Sequence, residues 1–253
     1  MYLVGSLHML TREHYPLGPA LESAFAESDL LVEEMDLGVL LAPESQMQLL
    51  TRSLLPGDQS LDRVVSDETY ELVIERVAKL GLPIEPLRRF KPWGLALTLV
   101  SLEWQEAGFD QSLGLDQHFY DRAQREGKLV QGLETLAFQI SQFDGMSNTE
   151  QDRLLAATLS EFDTQIAAVT ELASAWRTGD ADTVERIVLH DLKNEPRLYE
   201  SLLVDRNLNW LPTIEALFTR PRPAFVVVGA AHLVGPDGLI AMLESKGYTV
   251  EQR

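Results

Sequence analysis

Two histidines of this chain end matching tetrapeptides, Gly5-Ser6-Leu7-His8 and Gly229-Ala230-Ala231-His232, and each tetrapeptide directly follows a short apolar run. Imidazoles placed in this way could ligate a divalent metal or pass a proton, because each neutral ring carries one donor and one acceptor nitrogen. With 16 glycines and 5 histidines, chance placement gives roughly 0.3 such tetrapeptides, so a pair in like context is informative. Carboxylates stand at comparable positions: Glu34 and Glu134 each close an apolar, β-favouring stretch. Arg206 and Asn207 fall on a helical stretch, and Asp116 lies at the start of another. Two imidazoles with one or two carboxylates suit zinc, manganese, cobalt or ferrous iron, and a spare carboxylate could deprotonate a bound water.

Ordinary roles compete for each of these residues. A histidine in a buried turn satisfies backbone groups, Glu134 could cap the helix after it, and Arg206 could be a plain ion-pair arginine. Trp210 is expected in the core. Glu33 and Glu34 are adjacent in a strand, so their side chains point to opposite faces and only one can reach a shared site.

The elements around these residues repeat at the two ends of the chain. Tyr2-Leu3-Val4 and Phe225-Val226-Val227-Val228 read as buried strands. A turn signal follows each histidine, Leu17-Gly18-Pro19 and Val234-Gly235-Pro236, and then an apolar helical stripe. Leu30 to Glu34 and Tyr248 to Glu251 are expected to close each unit as a second strand. Two β-loop-α-β units with parallel strands would place both histidines beyond the carboxyl edge of a sheet, where open α/β folds bind ligands.

The middle reads as helical. Helices are expected from Ser66 to Gly81, from Pro92 to near Gly108, from Asp116 to Glu126, from Ser147 to Trp176, from Asp182 to Lys193 and from Pro196 to Thr219. A strand is expected at Lys128 to Glu134. The whole is expected to be one α/β domain over 1–253, with the two end units joined in a central sheet and a helical insertion at about 60–220.

Composition narrows the partners. Lysine and arginine total 21 against 39 aspartates and glutamates, a net charge of −18. That field repels a phosphate backbone, so no nucleic-acid partner is expected. There is no cysteine and hence no disulfide or thiolate metal site. No apolar run approaches the roughly 20 residues of a transmembrane helix. No signal peptide is recognised, and the chain opens almost inside its first strand.

Taken together, Tyr2 to His8, Glu34-Met35-Asp36, Gly114-Leu115-Asp116, Gly132-Leu133-Glu134-Thr135, Arg206-Asn207 and Val228 to Gly238 resemble the TraB/GumN family. That family is related to the Tiki proteins and, more distantly, to erythromycin esterases and haem-binding ChaN-like proteins. The resemblance spans nearly the whole chain. It implies an α/β fold in which paired Gly-x-x-His motifs and a glutamate form one pocket, associated in the Tiki branch with divalent-metal-dependent peptidase activity. It also implies export, to the periplasm or cell envelope. By position it makes His8, Glu34 and His232 the metal ligands and adds Glu134, Arg206 and Asn207 to the pocket.

The function expected is thus a metal-dependent, peptidase-like hydrolase of a peptide or small molecule, using manganese, cobalt or zinc. Glu134 would be the general base and Arg206 the oxyanion clamp. The alternatives are a non-catalytic protein binding haem, a metal or a small ligand in the same pocket, a metal-free esterase with a histidine base, and a degenerate interaction domain whose motifs persist for packing.

Overall fold

The computed structural model describes residues 1–160, 162–190, 192 and 195–253. Four parallel strands, β1 (Tyr2–Ser6), β2 (Leu30–Glu33), β3 (Leu129–Gly132) and β4 (Ala224–Gly229), form one sheet in the order β1-β4-β2-β3. The last strand therefore inserts between the first two. Its register sets Gly5 beside Val228 and Ser6 beside Gly229, so the two Gly-x-x-His motifs leave neighbouring strands in the same direction.

Alternation along the strands sorts side chains to two apolar faces. Val4, Leu31, Phe225 and Val227 pack against α1 (Pro19–Glu27) and α2 (Leu115–Glu126) through Phe25, Leu115, Phe119 and Ala123. On the other face Leu30, Val32, Val226 and Val228 meet α3 (Asp205–Leu217) and α4 (Leu239–Ser245) through Trp210, Ile214, Leu239 and Leu243. The expected α/β fold is thus present, with helices covering both faces of a parallel sheet, as buried strands require.

The chain divides into two compact units. The first, Met1–Val39, Phe109–Thr135 and Ala168–Arg253, holds the sheet. The second, Leu40–Gly108 and Leu136–Ala167, is helical. Its core gathers Leu61, Val73, Val77, Leu95, Leu99 and Leu155. The helical region expected at about 60–220 is therefore interrupted, because Phe109–Thr135 returns to the sheet to supply α2 and β3.

Local signals account for most element ends. The Ser66 hydroxyl accepts from the Thr69 amide to start the helix Asp67–Lys79, Pro92 opens Pro92–Glu106, and Gly127 ends α2 in the left-handed region.

Four expectations are revised. Tyr248 to Glu251 forms no strand; Tyr248 and Val250 pack on the core beside α4, so their apolar alternation is satisfied without a backbone ladder. The stretch from Ser147 to Trp176 is two helices, Asn148–Ser160 and Phe162–Thr178, with Glu161 outside the described residues. The stretch from Pro196 to Thr219 begins with a short helix, Pro196–Tyr199, followed by a π-helical segment, Glu200–Val204, before α3 starts. The helix expected from Asp182 to Lys193 is Ala181–His190, and Lys193 lies outside the described residues. Among the described residues no helix is long and apolar enough to cross a membrane.

Candidate functional site

Every residue singled out for the site lies in the sheet-bearing unit, at or beyond the carboxyl edge of the sheet. His8 follows β1, Glu34 follows β2, Glu134 follows β3 and His232 follows β4, while Arg206 and Asn207 reach in from the first turn of α3. A methyl group built on Gly229 would stand 3.1 Å from Glu34 Oε1 and 3.6 Å from both His8 Nε2 and His232 Cδ2. Both imidazoles and one carboxylate thus converge over a backbone position that carries no side chain.

Hydrogen bonds fix how each ring is turned. Asn207, fully buried, accepts at Oδ1 from His232 Nδ1 at 2.8 Å and donates through Nδ2 to the carbonyls of His232 and Asp237. An amide oxygen only accepts, so His232 carries its proton on Nδ1 and presents the Nε2 lone pair. His8 Nδ1 lies 2.8 Å from Asp116 Oδ2, and the other Asp116 oxygen accepts from the Ser6 hydroxyl at 2.8 Å. His8 Nε2 is likewise left facing Gly229.

Arg206 sits at the centre. Its Nε donates to Glu134 Oε2 at 3.1 Å, its Nη2 to Glu134 Oε1 at 2.8 Å and to Glu34 Oε2 at 2.5 Å, and its Nη1 to the Leu202 carbonyl at 3.2 Å and to His232 Nε2 at 3.0 Å. A guanidinium has five N–H groups, and all five are engaged. Its plane lies over Trp210, 4.7 Å from the ring centroid, and the Trp210 indole N–H donates to Glu134 Oε2 at 2.9 Å. Trp210 is buried as expected, but it is also a wall of the site: its ring meets that of His232 at 4.4 Å.

The electrostatics follow from this geometry. Burial pushes the Glu34 carboxyl up, but His232, Arg206 and His8 outweigh it and hold it down to about 2. Burial drives His232 down to about 4, with Glu34 opposing and Arg206 and His8 assisting. Asp116 raises His8 to about 9 against the effect of burial; the His8 side chain is 63% exposed, so solvent screens this pair. Burial raises Glu134 although Arg206 and Trp210 pull it down. The two pseudo-equivalent histidines are therefore unlike: one is exposed and backed by a carboxylate, the other buried, neutral and backed by an amide.

Of the adjacent pair Glu33 and Glu34, only Glu34 joins the site. Glu33 points to the opposite face, where burial raises it to about 9. Sequence reasoning underrated Asp116 and missed Ser6 and the Gly229 amide, which donates to Glu34 Oε1 at 2.7 Å. The Gly114-Leu115-Asp116 triplet was the one available signal for Asp116.

The donor types fit a divalent cation: the His232 Nε2 lone pair, the ionised Glu34 carboxylate with its Oε1 3.8 Å away, and the His8 ring, which Asp116 favours in the protonated form and which must give up its Nε2 proton to ligate. Yet among the described residues no group of three histidine, aspartate or glutamate side chains is arranged to hold a metal ion. In addition, Arg206 Nη1 takes the His232 lone pair that a third ligand would offer.

Comparison with known proteins bears on the whole chain. The proteins called "Uncharacterized protein YbaP" from Escherichia coli (strain K12) and from Shigella flexneri are each 25% identical over 242 residues, covering 96% of this chain and 87% of the relative. No solved structure matches. The TraB/PrgY/gumN family matches residues 1–252, in agreement with the resemblance that the paired motifs carry. The chain belongs to the TraB/PrgY/gumN family.

Proposed function

We propose that the chain is a hydrolase, peptidase-like in its choice of bond, acting from the pocket over Gly229 with a divalent cation on His8, Glu34 and His232. The observation that carries this is the convergence of His8 Nε2, Glu34 Oε1 and the His232 ring within 3.6 Å of one point. A cation there supplies Lewis-acid polarisation of a substrate carbonyl.

The chain's own groups do the rest. Asp116 and Asn207 turn both Nε2 atoms toward the pocket. Glu34 is ionised at neutral pH and needs no deprotonation to act as an anionic donor. Arg206 Nη1 must leave His232 before that ring can act as a third ligand, and the same movement frees an N–H for the oxygen of a tetrahedral intermediate. Glu134 holds the guanidinium in place during this exchange. Its oxygens already accept three hydrogen bonds, which argues against the base role expected from the sequence.

A second reading is metal-free hydrolysis, with Arg206 remaining as the resident cation and the exposed His8 Nε2 exchanging protons with substrate. The full use of all five Arg206 N–H groups favours it.

One experiment separates the two. Protein purified without chelator is analysed for metals as wild type, His8→Ala and His232→Ala, and peptide and ester panels are assayed before and after exhaustive chelation. Near-stoichiometric manganese, cobalt or zinc in the wild type, lost in both variants together with activity, is the expected result. Equal, negligible metal in all three ends the cation reading, and activity that survives chelation supports the second. A haem titration with an unchanged absorption spectrum removes haem as a ligand.

Gly229→Ala is expected to reduce turnover by about tenfold or more, because the methyl group fills the space in which a substrate atom must sit. Because that methyl group would stand 3.1 Å from the tightly held Glu34 Oε1, the unfolding free energy should fall by about 1–3 kcal/mol. Wild-type turnover in this variant would remove the pocket from the reaction.

A further inference from the structure

The exposed His8 ring has one side-chain partner among the described residues, and that partner is mounted with unusual care. Asp116 Oδ2 meets His8 Nδ1 at 2.8 Å, and the Ser6 hydroxyl holds the other oxygen at 2.8 Å. The segment carrying Asp116 is laced to the segment carrying His8 along its length. Leu10 and Asp110 exchange two backbone hydrogen bonds, at 3.3 and 2.9 Å, and the Leu115 amide donates to the Leu7 carbonyl at 3.1 Å. The Tyr15 hydroxyl donates to the Leu113 carbonyl at 2.7 Å. Between them Gly114 lies so close to the His8 carbonyl that a Cβ there would overlap it, so only glycine permits this approach.

We infer that Asp116 is a positioning residue for His8, and that the Gly114-Leu115-Asp116 corner exists to hold its carboxylate against the imidazole. A ring 63% exposed on a loop has several rotamers within reach. Without an acceptor at Nδ1 nothing nearby selects the one that aims Nε2 over Gly229. Histidines that ligate metals commonly donate their other ring N–H to a carboxylate, which fixes ring orientation and raises ligand basicity. The buried His232 obtains the same service from the neutral Asn207. His8 lacks a packed environment and depends on the hydrogen bond itself. This inference rests on the pocket reading above, and its test is chosen so that the two fail separately.

The test uses the full chain as wild type, Asp116→Ala and Asp116→Asn, with manganese alone as probe, measured by calorimetry, and a crystal structure of each metal-free form. Asp116→Ala is expected to weaken manganese binding by about 10–100-fold and to spread the His8 ring over more than one rotamer. Asp116→Asn keeps an acceptor oxygen at Nδ1, so it is expected to restore a single rotamer and to bring affinity back within about fivefold of wild type. A purely structural role for Asp116 would lower the melting temperature without this rescue. Should the alanine variant not fold, Asp116→Leu, which keeps a branched side chain without an acceptor, takes its place. Wild-type affinity with an unmoved His8 ring in the variant lacking an acceptor overturns the inference. A wild type that takes up no manganese overturns the cation reading instead, and the rotamer comparison still decides the role of Asp116.

Discussion

Replacing Arg206 with methionine is expected to lower the unfolding free energy by about 3–5 kcal/mol at neutral pH. The side chain is 9% exposed, and its charge answers two carboxylates, Glu34 and Glu134, that are 10% and 4% exposed. Burial alone works against a charge here, but Glu34 and Glu134 outweigh it and raise the Arg206 pKa. Removing the guanidinium takes donors from both carboxylates, the His232 lone pair and the Leu202 carbonyl at once, leaving Glu34 with the Gly229 amide and Glu134 with the Trp210 indole. An uncompensated buried charge is among the few single changes that cost this much. Arg206→Lys should fall between, since an ammonium is a point charge with three donors and cannot span acceptors on four residues. Adding Glu134→Gln to Arg206→Met should recover part of the loss, because one orphaned charge disappears. Urea titrations of the four proteins check this. A loss below about 1 kcal/mol for Arg206→Met would mean that the ion-pair cluster is solvated in a way the geometry does not allow.

Stability is also expected to decline as the pH rises above neutrality, with Glu33 as the main cause. Its side chain is 2% exposed, its Oε2 accepts only from the Leu37 amide at 3.4 Å, and its Oε1 has no hydrogen-bond partner among the described residues. Burial raises this carboxyl from 4.5 to about 9, with Asp116 and Asp36 adding to the rise. A group whose pKa is raised on folding contributes stability that is complete below its unfolded value and lost as the pH climbs toward the folded one. The loss amounts to at most roughly 1.4 kcal/mol per pH unit between those limits. His232 has the opposite sign: lowered from 6.5 to about 4, it contributes stability above 6.5 that is lost as the pH falls. The two slopes oppose one another between 4.5 and 6.5, which predicts a plateau there and a decline on its alkaline side. His8 is raised as well and acts in the same direction as Glu33, but its ring is too exposed for an energy to be assigned. Glu33→Gln keeps the shape and removes the titration, so it should flatten the decline. Denaturant midpoints from pH 5 to about 9 decide the matter, and equal slopes in wild type and variant would clear Glu33 of the role.

Much of this site was legible in the residues alone, and the reason is periodicity. A glycine-marked turn after an apolar strand is a local pattern, and the sheet then carries whatever follows the strand to its carboxyl edge. His8, Glu34, Glu134 and His232 could all be placed that way. Strand order could not: that β4 separates β1 from β2 depends on long-range pairing to which no local pattern testifies. The same holds for Asp116, which reaches His8 across 108 positions of sequence; between Glu33 and Glu34 alternation says only that one is excluded, and it was the family resemblance that singled out Glu34. Tyr248 to Glu251 shows the converse error. Alternating apolar residues satisfy a core equally well from an unpaired segment, so the pattern identified the burial and overstated the hydrogen bonding. The five bonds of Arg206 were hidden for a further reason: an arginine looks the same in sequence whether it waits for a substrate or is already fully engaged.

The placement of β4 has a consequence for how the molecule comes into being. One of the sheet's two inner strands, β4, is made nearly last, so a growing polypeptide holds Leu31 and Val32 ready for some 190 residues before Phe225 and Val226 exist to cover them. At ordinary elongation rates that interval is roughly 10–40 s, long enough for an unpaired apolar edge to find the wrong neighbour. Chaperones that shield such edges during translation should therefore govern the yield of this protein more than its final stability does, and the paired histidines can meet only once His232 has left the ribosome.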